Sequence, residues 1–110
     1  MTEIRTDRGV PISAIKKLWD TCPATAGRDP ESIDLAWQSS AYVVHAWRGG
    51  ALIGTARVIS DRSFFAAICD VVCAPDCPSP MQKDLAAKAA EPFARRGMKV
   101  VVLPIGKMRS

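Results

Sequence analysis

Apolar residues recur every three or four positions in the first third of the chain, the period of an amphipathic helix. The buried face of the first predicted helix comprises Ile12, Ile15, Leu18 and Trp19. A second helix is predicted to begin at Asp29, whose carboxylate can cap it, with Pro30 at the first helical position. Ile33 and Trp37 give this second helix its buried side.

Strands are predicted for the middle of the chain. The segment "AYVVHAWRGGALIGTARVIS" indicates two strands joined by a tight turn at Gly49-Gly50, because glycine supplies the positive φ values of two-residue hairpins. A third apolar strand, "FFAAICDVVCA", ends at Ala74-Pro75. The prolines at 75, 78 and 80 have no N–H group to continue strand pairing.

A helix and a strand are predicted for the last third. From Met81 to Arg96, apolar residues lie on one helical face and charged residues on the other. Pro92 should kink this helix or end its regular part, and Gly97 should cap it. "KVVVLPI" then forms a buried strand. The predicted order is helix, helix, strand, strand, strand, helix, strand.

The bulk composition favours one globular domain over residues 1–110. Of the 110 residues, 48% are apolar and 24% charged, which excludes a mainly disordered chain. No apolar run reaches the length of a membrane span, and the first nine residues are too charged for a secretory signal peptide. We therefore expect a cytoplasmic protein that does not enter the membrane.

The net charge of +4 raises the question of an acidic partner. The basic residues are scattered, with local density only at Lys16-Lys17, at 95–99 and in the tail from Lys107 to Arg109. Scattered charge is typical of a solvated surface. Aromatic residues do not alternate with these charges as they would on a base-stacking platform, so we expect no nucleic acid partner.

Four cysteines, at 22, 69, 73 and 77, are expected to be reduced thiols in a cytosolic chain. The even spacing of the last three resembles a metal motif, and zinc is one interpretation. The other interpretation is buried thiols, since Cys69 and Cys73 should lie on one face of a strand about 13 Å apart, too far to share an ion. We predict no metal site.

Three segments together resemble the GNAT-type N-acetyltransferase superfamily: "GGALIGTARVISD", "AAICDVVCAPD" and "ARRGMKVVVL". The resemblance covers roughly residues 12 to 104. It implies an α/β (α+β) fold with a mixed, mostly antiparallel central sheet flanked by helices. Family members normally continue into a further helix and two strands after the fifth strand, so the expected fold lacks these last elements.

The resemblance also implies a place for acetyl-CoA. In the family the pantetheine arm bonds to the backbone of the fourth strand, which corresponds here to Val72, Cys73 and Ala74. The pyrophosphate sits on a glycine-rich loop at the start of the next helix, which corresponds to Met81, Gln82 and Lys83. Here the loop departs from the family pattern, because no glycine occurs between Gly54 and Gly97.

Prolines replace the glycines of that loop. Pro78 and Pro80 remove two N–H groups that could hold phosphate, whereas Lys83 offers a compensating charge. The free N–H groups from Met81 to Asp84 can still attract an anion. We therefore expect weaker cofactor binding than the family norm, or its loss.

No catalytic acid carries over from the family, whose tyrosine has no counterpart here, since Tyr42 lies in an early strand. Asp70 and Asp61 are candidates for a general base that takes a proton from an amine. The alternatives are a backbone hydrogen bond at a strand end for Asp70 and a turn for Asp61. His45 is either a base or a strand histidine, and we favour the latter.

Two functional hypotheses remain open. The first is transfer of acetyl from acetyl-CoA to a small-molecule or peptide amine, with weak or no activity. The second is a non-catalytic GNAT-fold protein that binds a ligand or partner. An apolar edge strand invites pairing with another chain, so we also predict a homodimer or a partner complex through Lys99 to Ile105.

Overall fold

One mixed sheet with helices on both faces makes up residues 2–77 and 80–103, the part of the chain that the computed structural model describes. The strands are β1 (Thr2–Arg5), β2 (Tyr42–Arg48), β3 (Ala51–Ser60), β4 (Phe65–Cys73) and β5 (Lys99–Val102). The helices are α1 (Ile12–Trp19), α2 (Pro30–Ser39) and α3 (Met81–Ala94). None of these helices is long and apolar enough to cross a bilayer.

The sheet has the strand order β1-β2-β3-β4-β5. The first four strands pair antiparallel to their neighbours, whereas β5 pairs parallel to β4 because α3 connects the two. This architecture confirms the predicted mixed, mostly antiparallel α/β sheet. The seven predicted elements occur in the predicted order.

Strand β1 was not predicted from the sequence. It contains one large apolar residue, Ile4, and therefore lacks the alternation that marks a half-buried strand. It pairs along the edge of β2, with Thr2 opposite Arg48 and Arg5 opposite His45. Pairing with β2 thus makes a strand of a segment whose side chains are largely exposed.

Each face of the sheet supports its own core. On one face, α3 contributes Met81, Leu85, Ala89 and Phe93. On the other face, α1 and α2 bury an apolar group that comprises Ile15, Leu18, Trp19, Ile33 and Trp37. These are the residues that the helical periodicity places on the buried sides of the predicted helices.

The residues predicted to cap α2 and α3 have their expected geometry, whereas Pro92 does not end the regular part of α3. The Asp29 carboxylate accepts a hydrogen bond of 3.0 Å from the Ser32 N–H group, which caps α2. Helix α3 continues through Pro92 and ends at Ala94, two residues before the predicted end at Arg96. Gly97, with φ of 78°, then reverses the chain, and the Met98 N–H group donates to the Phe93 carbonyl.

The hairpin between β2 and β3 also follows the prediction. Gly49 and Gly50 have φ values of 58° and 80°, which suit a two-residue turn of type I′. Strand β5 ends at Val102, and Pro104 and Ile105 of the predicted strand lie outside the described residues.

Candidate functional site

A bulge interrupts β4 at Asp70 and Val71. Cys69 lies opposite Arg57 of β3, and Val72 lies opposite Thr55. Asp70 and Val71 of β4 therefore face a single residue of β3, Ala56. Asp70 has φ of 51°, a left-handed conformation that non-glycine residues rarely adopt. The bulge therefore redirects the end of β4. The predicted site residues at 70 and 72–74 all lie at or after this bulge.

The bulge reverses which face each later side chain occupies. Ile68 and Val71 both belong to the core under α3, although strict alternation would place them on opposite faces. Val72 packs on the α1 and α2 side, and Cys73 packs against the α3 core. The prediction that Cys69 and Cys73 share a face is therefore wrong, because it assumed an unbroken strand.

The side chain of Asp70 forms a double ion pair. Arg57 Nε donates to Asp70 Oδ2 at 2.7 Å, and Arg28 donates through Nη1 and Nη2 at 3.0 and 3.2 Å. The Asp70 side chain is 12% exposed and that of Arg57 15%, while Arg28 is 36% exposed. This carboxylate is thus held by two cations, one of them buried and one partly accessible to solvent.

The ion pair determines the proton affinity of Asp70. Burial alone would raise the pKa of its carboxyl group, but the hydrogen bonds from Arg28 and Arg57 outweigh burial and lower the pKa below its ordinary value. An ionised carboxylate with two guanidinium partners is a weak base. The Asp70 carboxylate bonds to the side chains of Arg28 and Arg57. The alternative prediction, a backbone hydrogen bond at a strand end, is therefore wrong.

Arg28 reaches Asp70 from the loop between α1 and α2 and lies on the ring of Trp19. Its guanidinium carbon is 5.0 Å from the centre of the indole, a cation–π distance. The indole Nε1 donates to the buried Thr55 hydroxyl at 2.9 Å. A chain of contacts therefore joins α1, the loop, β3 and the bulge of β4.

Arg28 and Arg57 were not identified from the sequence as site residues. A signal was present, since "TARVIS" and "AICDVV" each place one charged residue inside an apolar strand. A buried charge needs an opposite charge, and adjacent strands bring the two together. The partner from the loop, Arg28, has no such pattern around it.

The predicted cofactor residues at the end of β4 lie beyond the residues of this strand that pair with the described part of β5. The parallel register ends at Ile68 opposite Val102, followed by a bond of 2.9 Å from the Leu103 N–H group to the Ile68 carbonyl. Val72 is buried, whereas Cys73 and Ala74 are half-buried. The Ala74 N–H group donates to the Ile53 carbonyl of β3 at 2.8 Å.

The first turn of α3 leaves backbone donors available. Among the described residues, no side chain caps this end, and the Asp84 N–H group is the first that bonds back, to the Pro80 carbonyl at 3.0 Å. The N–H groups of Met81, Gln82 and Lys83 therefore have no partner inside the helix. The Met81 side chain is buried in the core, while those of Gln82 and Lys83 are exposed. Pro78 lies outside the described residues.

The other titratable candidates, Asp61 and His45, form hydrogen bonds within the fold. Three backbone N–H groups, at 63, 64 and 65, donate to Asp61 Oδ1 and lower the pKa of its carboxyl group, which confirms the turn interpretation. His45 is buried, and burial lowers its pKa. Its Nε2 lies 2.6 Å from the Asp7 carbonyl and its Nδ1 accepts from Trp47. Neutral His45 is thus a strand histidine with both nitrogens occupied.

Within residues 2–77 and 80–103, no three Cys, His, Asp or Glu side chains are grouped around a common point. Tyr42, the only tyrosine, packs edge-on against Phe93 of α3 with ring centres 6.1 Å apart.

Solved structures share this arrangement of strands and helices. An acetyltransferase of the GNAT family from Streptococcus pneumoniae covers 99% of this chain and 79% of its own length, with a TM-score of 0.80 and 18% identity. A ribosomal-protein-alanine N-acetyltransferase from Brucella melitensis covers 98% and 82%, with a TM-score of 0.73 and 15% identity. The chain has the fold of the GNAT-type N-acetyltransferases.

Another solved structure with this fold was determined with CoA bound. An aminoglycoside N-acetyltransferase in complex with CoA covers 97% of this chain and 78% of its own, with a TM-score of 0.74 and 13% identity. No protein-family model matches the sequence, and no curated protein is similar to it in sequence. The likeness therefore lies in the fold, while the side chains of the site must be judged on their own geometry.

Proposed function

We propose that the chain binds acetyl-CoA between the end of β4 and the start of α3 and transfers the acetyl group to an amine. The bulge at Asp70 and Val71 carries this proposal, because it begins two residues after Ile68, the last residue of β4 that pairs with the described part of β5. Backbone beyond the bulge, at Val72 and Cys73, can therefore bond to an extended pantetheine arm, whereas the N–H group and the carbonyl of the predicted Ala74 already bond to Ile53 and Cys77. The structure of a GNAT-fold enzyme with CoA supports this choice of cofactor.

The start of α3 is proposed to receive the pyrophosphate. Its three N–H groups without helical partners and the positive end of the helix dipole favour an anion. The exposed side chain of Lys83 adds a charge beside them. Pro80 contributes no N–H group, so we expect fewer phosphate contacts than a glycine-rich loop makes, and slow turnover.

Asp70 is proposed as the catalytic group, on one condition set by its ion pair. An acceptor with an ammonium group can take the place of Arg28, the partner that is more accessible, while buried Arg57 stays bound. Asp70 then contacts the amine whose proton must leave before the nitrogen attacks the thioester. Backbone near Cys73 would polarise the acetyl carbonyl.

Isothermal titration with acetyl-CoA tests the cofactor site. We expect micromolar affinity for acetyl-CoA and CoA, and weaker binding of 3′-dephospho-CoA if its phosphate is also held. Lys83→Ala should weaken binding about fivefold, the loss of roughly 1 kcal/mol from one charged contact. Lys88→Ala is the matched control, since this lysine is also exposed on α3 but lies more than one turn farther along the helix.

The two titration outcomes separate the hypotheses. Micromolar binding that Lys83→Ala weakens and Lys88→Ala does not would justify a screen of amine acceptors. No heat up to millimolar acetyl-CoA would contradict the proposal and favour the non-catalytic alternative.

The outer edge of β5 supports the non-catalytic alternative. Within residues 2–77 and 80–103, this strand pairs with β4 alone, and no described strand covers its other edge. Val102 and Leu103 are 54% and 46% exposed. We propose that this edge pairs with a second copy of the chain through Lys99 to Ile105.

Light scattering at micromolar concentration tests the β5 interface. The wild type should have the mass of a dimer, and Val102→Lys should shift it to a monomer by placing a charge on the paired edge. Leu35→Lys is the control, because Leu35 is 71% exposed on α2, away from this edge. A monomeric wild type would contradict the interface.

A further inference from the structure

Two thiols lie together where β4 leads into α3. Cys73 is the last residue of β4, and Cys77 ends the turn that follows. The Cys77 N–H group donates to the Ala74 carbonyl at 3.0 Å, which folds the turn back toward the strand. Both side chains are half-buried and pack against the core cluster under α3. The two side chains therefore lie on either side of one hydrogen-bonded turn and against the same core cluster.

The other two cysteines lack this arrangement. Cys69 is buried on the opposite side of the bulge, beside the ion pair of Asp70. Cys22 is half-buried in the loop after α1 and packs against the other core cluster. Of the four cysteines, Cys73 and Cys77 alone flank one turn and pack against the same core cluster.

We propose that Cys73 and Cys77 are a modification site, a dithiol that a low-molecular-weight disulfide such as oxidised glutathione converts reversibly to an intramolecular disulfide. The Cys77 thiolate attacks one sulfur of that disulfide, forms a mixed disulfide and releases one thiol. Cys73 then attacks the Cys77 sulfur, closes the internal S–S bond and releases the second thiol. The protein loses two electrons and two protons, and the small disulfide is reduced to two thiols.

The environment sets the order of the two steps. Burial and then the neighbouring Cys77 raise the pKa of Cys73 to about 12, so Cys73 stays protonated at neutral pH and is a poor first nucleophile. A mixed disulfide at Cys77 cannot carry negative charge. Its formation removes the contribution of Cys77 to the raised pKa while burial remains, so Cys73 loses its proton more readily in the second step than in the free dithiol.

The internal bond would tie the end of β4 to the turn before α3. It would therefore restrain both segments that are proposed to contact acetyl-CoA. The inference goes beyond the proposed function and does not depend on it, since the dithiol can be detected without any cofactor.

Mass spectrometry after incubation with oxidised glutathione tests the dithiol. The wild-type protein should lose the mass of two hydrogen atoms without gaining glutathione, and peptide mapping should join Cys73 to Cys77. Two of the four thiols should then resist alkylation until dithiothreitol is added. Cys73→Ser should instead retain one glutathione on Cys77.

Matched variants make the result specific. Cys22→Ser and Cys69→Ser should form the internal disulfide as the wild type does, because neither residue takes part. Circular dichroism of the untreated wild type confirms that the tested protein is folded. If the folded wild type keeps four free thiols, or carries separate glutathione adducts at 73 and 77, the proposal is overturned.

Discussion

Asp70→Asn is expected to lower the free energy of unfolding by about 3 kcal/mol, within the range for breaking a buried ion pair by removing one partner. The substitution leaves two guanidinium groups without a counter-charge, and Arg57 cannot reach solvent freely. Asparagine keeps the shape of aspartate and tolerates the left-handed backbone at this position. The loss therefore reports the charge of Asp70 rather than a change of backbone conformation.

Urea unfolding at pH 7 measures this loss. Asp76→Asn is the control, because the Asp76 side chain is 82% exposed and 3.9 Å from Arg48, so its removal should change stability by less than about 0.5 kcal/mol. Equal, small losses in the two variants would show that the Asp70 ion pair contributes little to folding.

The pH dependence provides a second readout of the same carboxylate. The folded state lowers the pKa of Asp70 from its ordinary value of 3.8. Its stabilising contribution is therefore present above that value and is lost as the pH falls through the lower folded pKa. The difference in stability between wild type and Asp70→Asn should persist at pH 7 and pH 5 and shrink below about pH 4.

The sequence predicted the elements whose apolar periodicity is strong and missed the element that lacks it. Helices α1 and α2, the hairpin at Gly49-Gly50 and the chain reversal at Gly97 follow from side-chain spacing and backbone preference. Strand β1 depends on pairing with β2, which is forty residues away in the chain and invisible to a local pattern. The GNAT-type fold could be inferred because its signals lie in the hairpin and central strand.

The site was less predictable than the fold. Asp70 was a candidate because an acidic residue near the central strand could act as a general base, but its role depends on Arg28 and Arg57, which come from two other segments. The bulge could not be placed by alternation, since one inserted residue reverses every later face. The positions of Met81, Gln82 and Lys83 were predictable because a helix start is a local feature, whereas their binding of acetyl-CoA stays a prediction.

Trp19→Ala is expected to lower the free energy of unfolding by about 4 kcal/mol, the usual cost of truncating a buried large aromatic residue. Trp19 is fully buried in the core beneath α1 and α2, and its ring supports Arg28. The variant loses packing, the bond to Thr55 and the surface that orients the partner of Asp70. Urea unfolding measures the sum of these losses.

A double-mutant cycle isolates the polar contact within that sum. Trp19→Phe keeps an aromatic face under Arg28 but leaves the buried Thr55 hydroxyl unpaired, and Thr55→Val removes that hydroxyl with little change of shape. The double variant should be more stable than the sum of the single losses predicts, by about 1 kcal/mol. Additive losses would mean that the indole N–H contributes nothing specific, and that Trp19 positions Arg28 through packing and the cation–π contact alone.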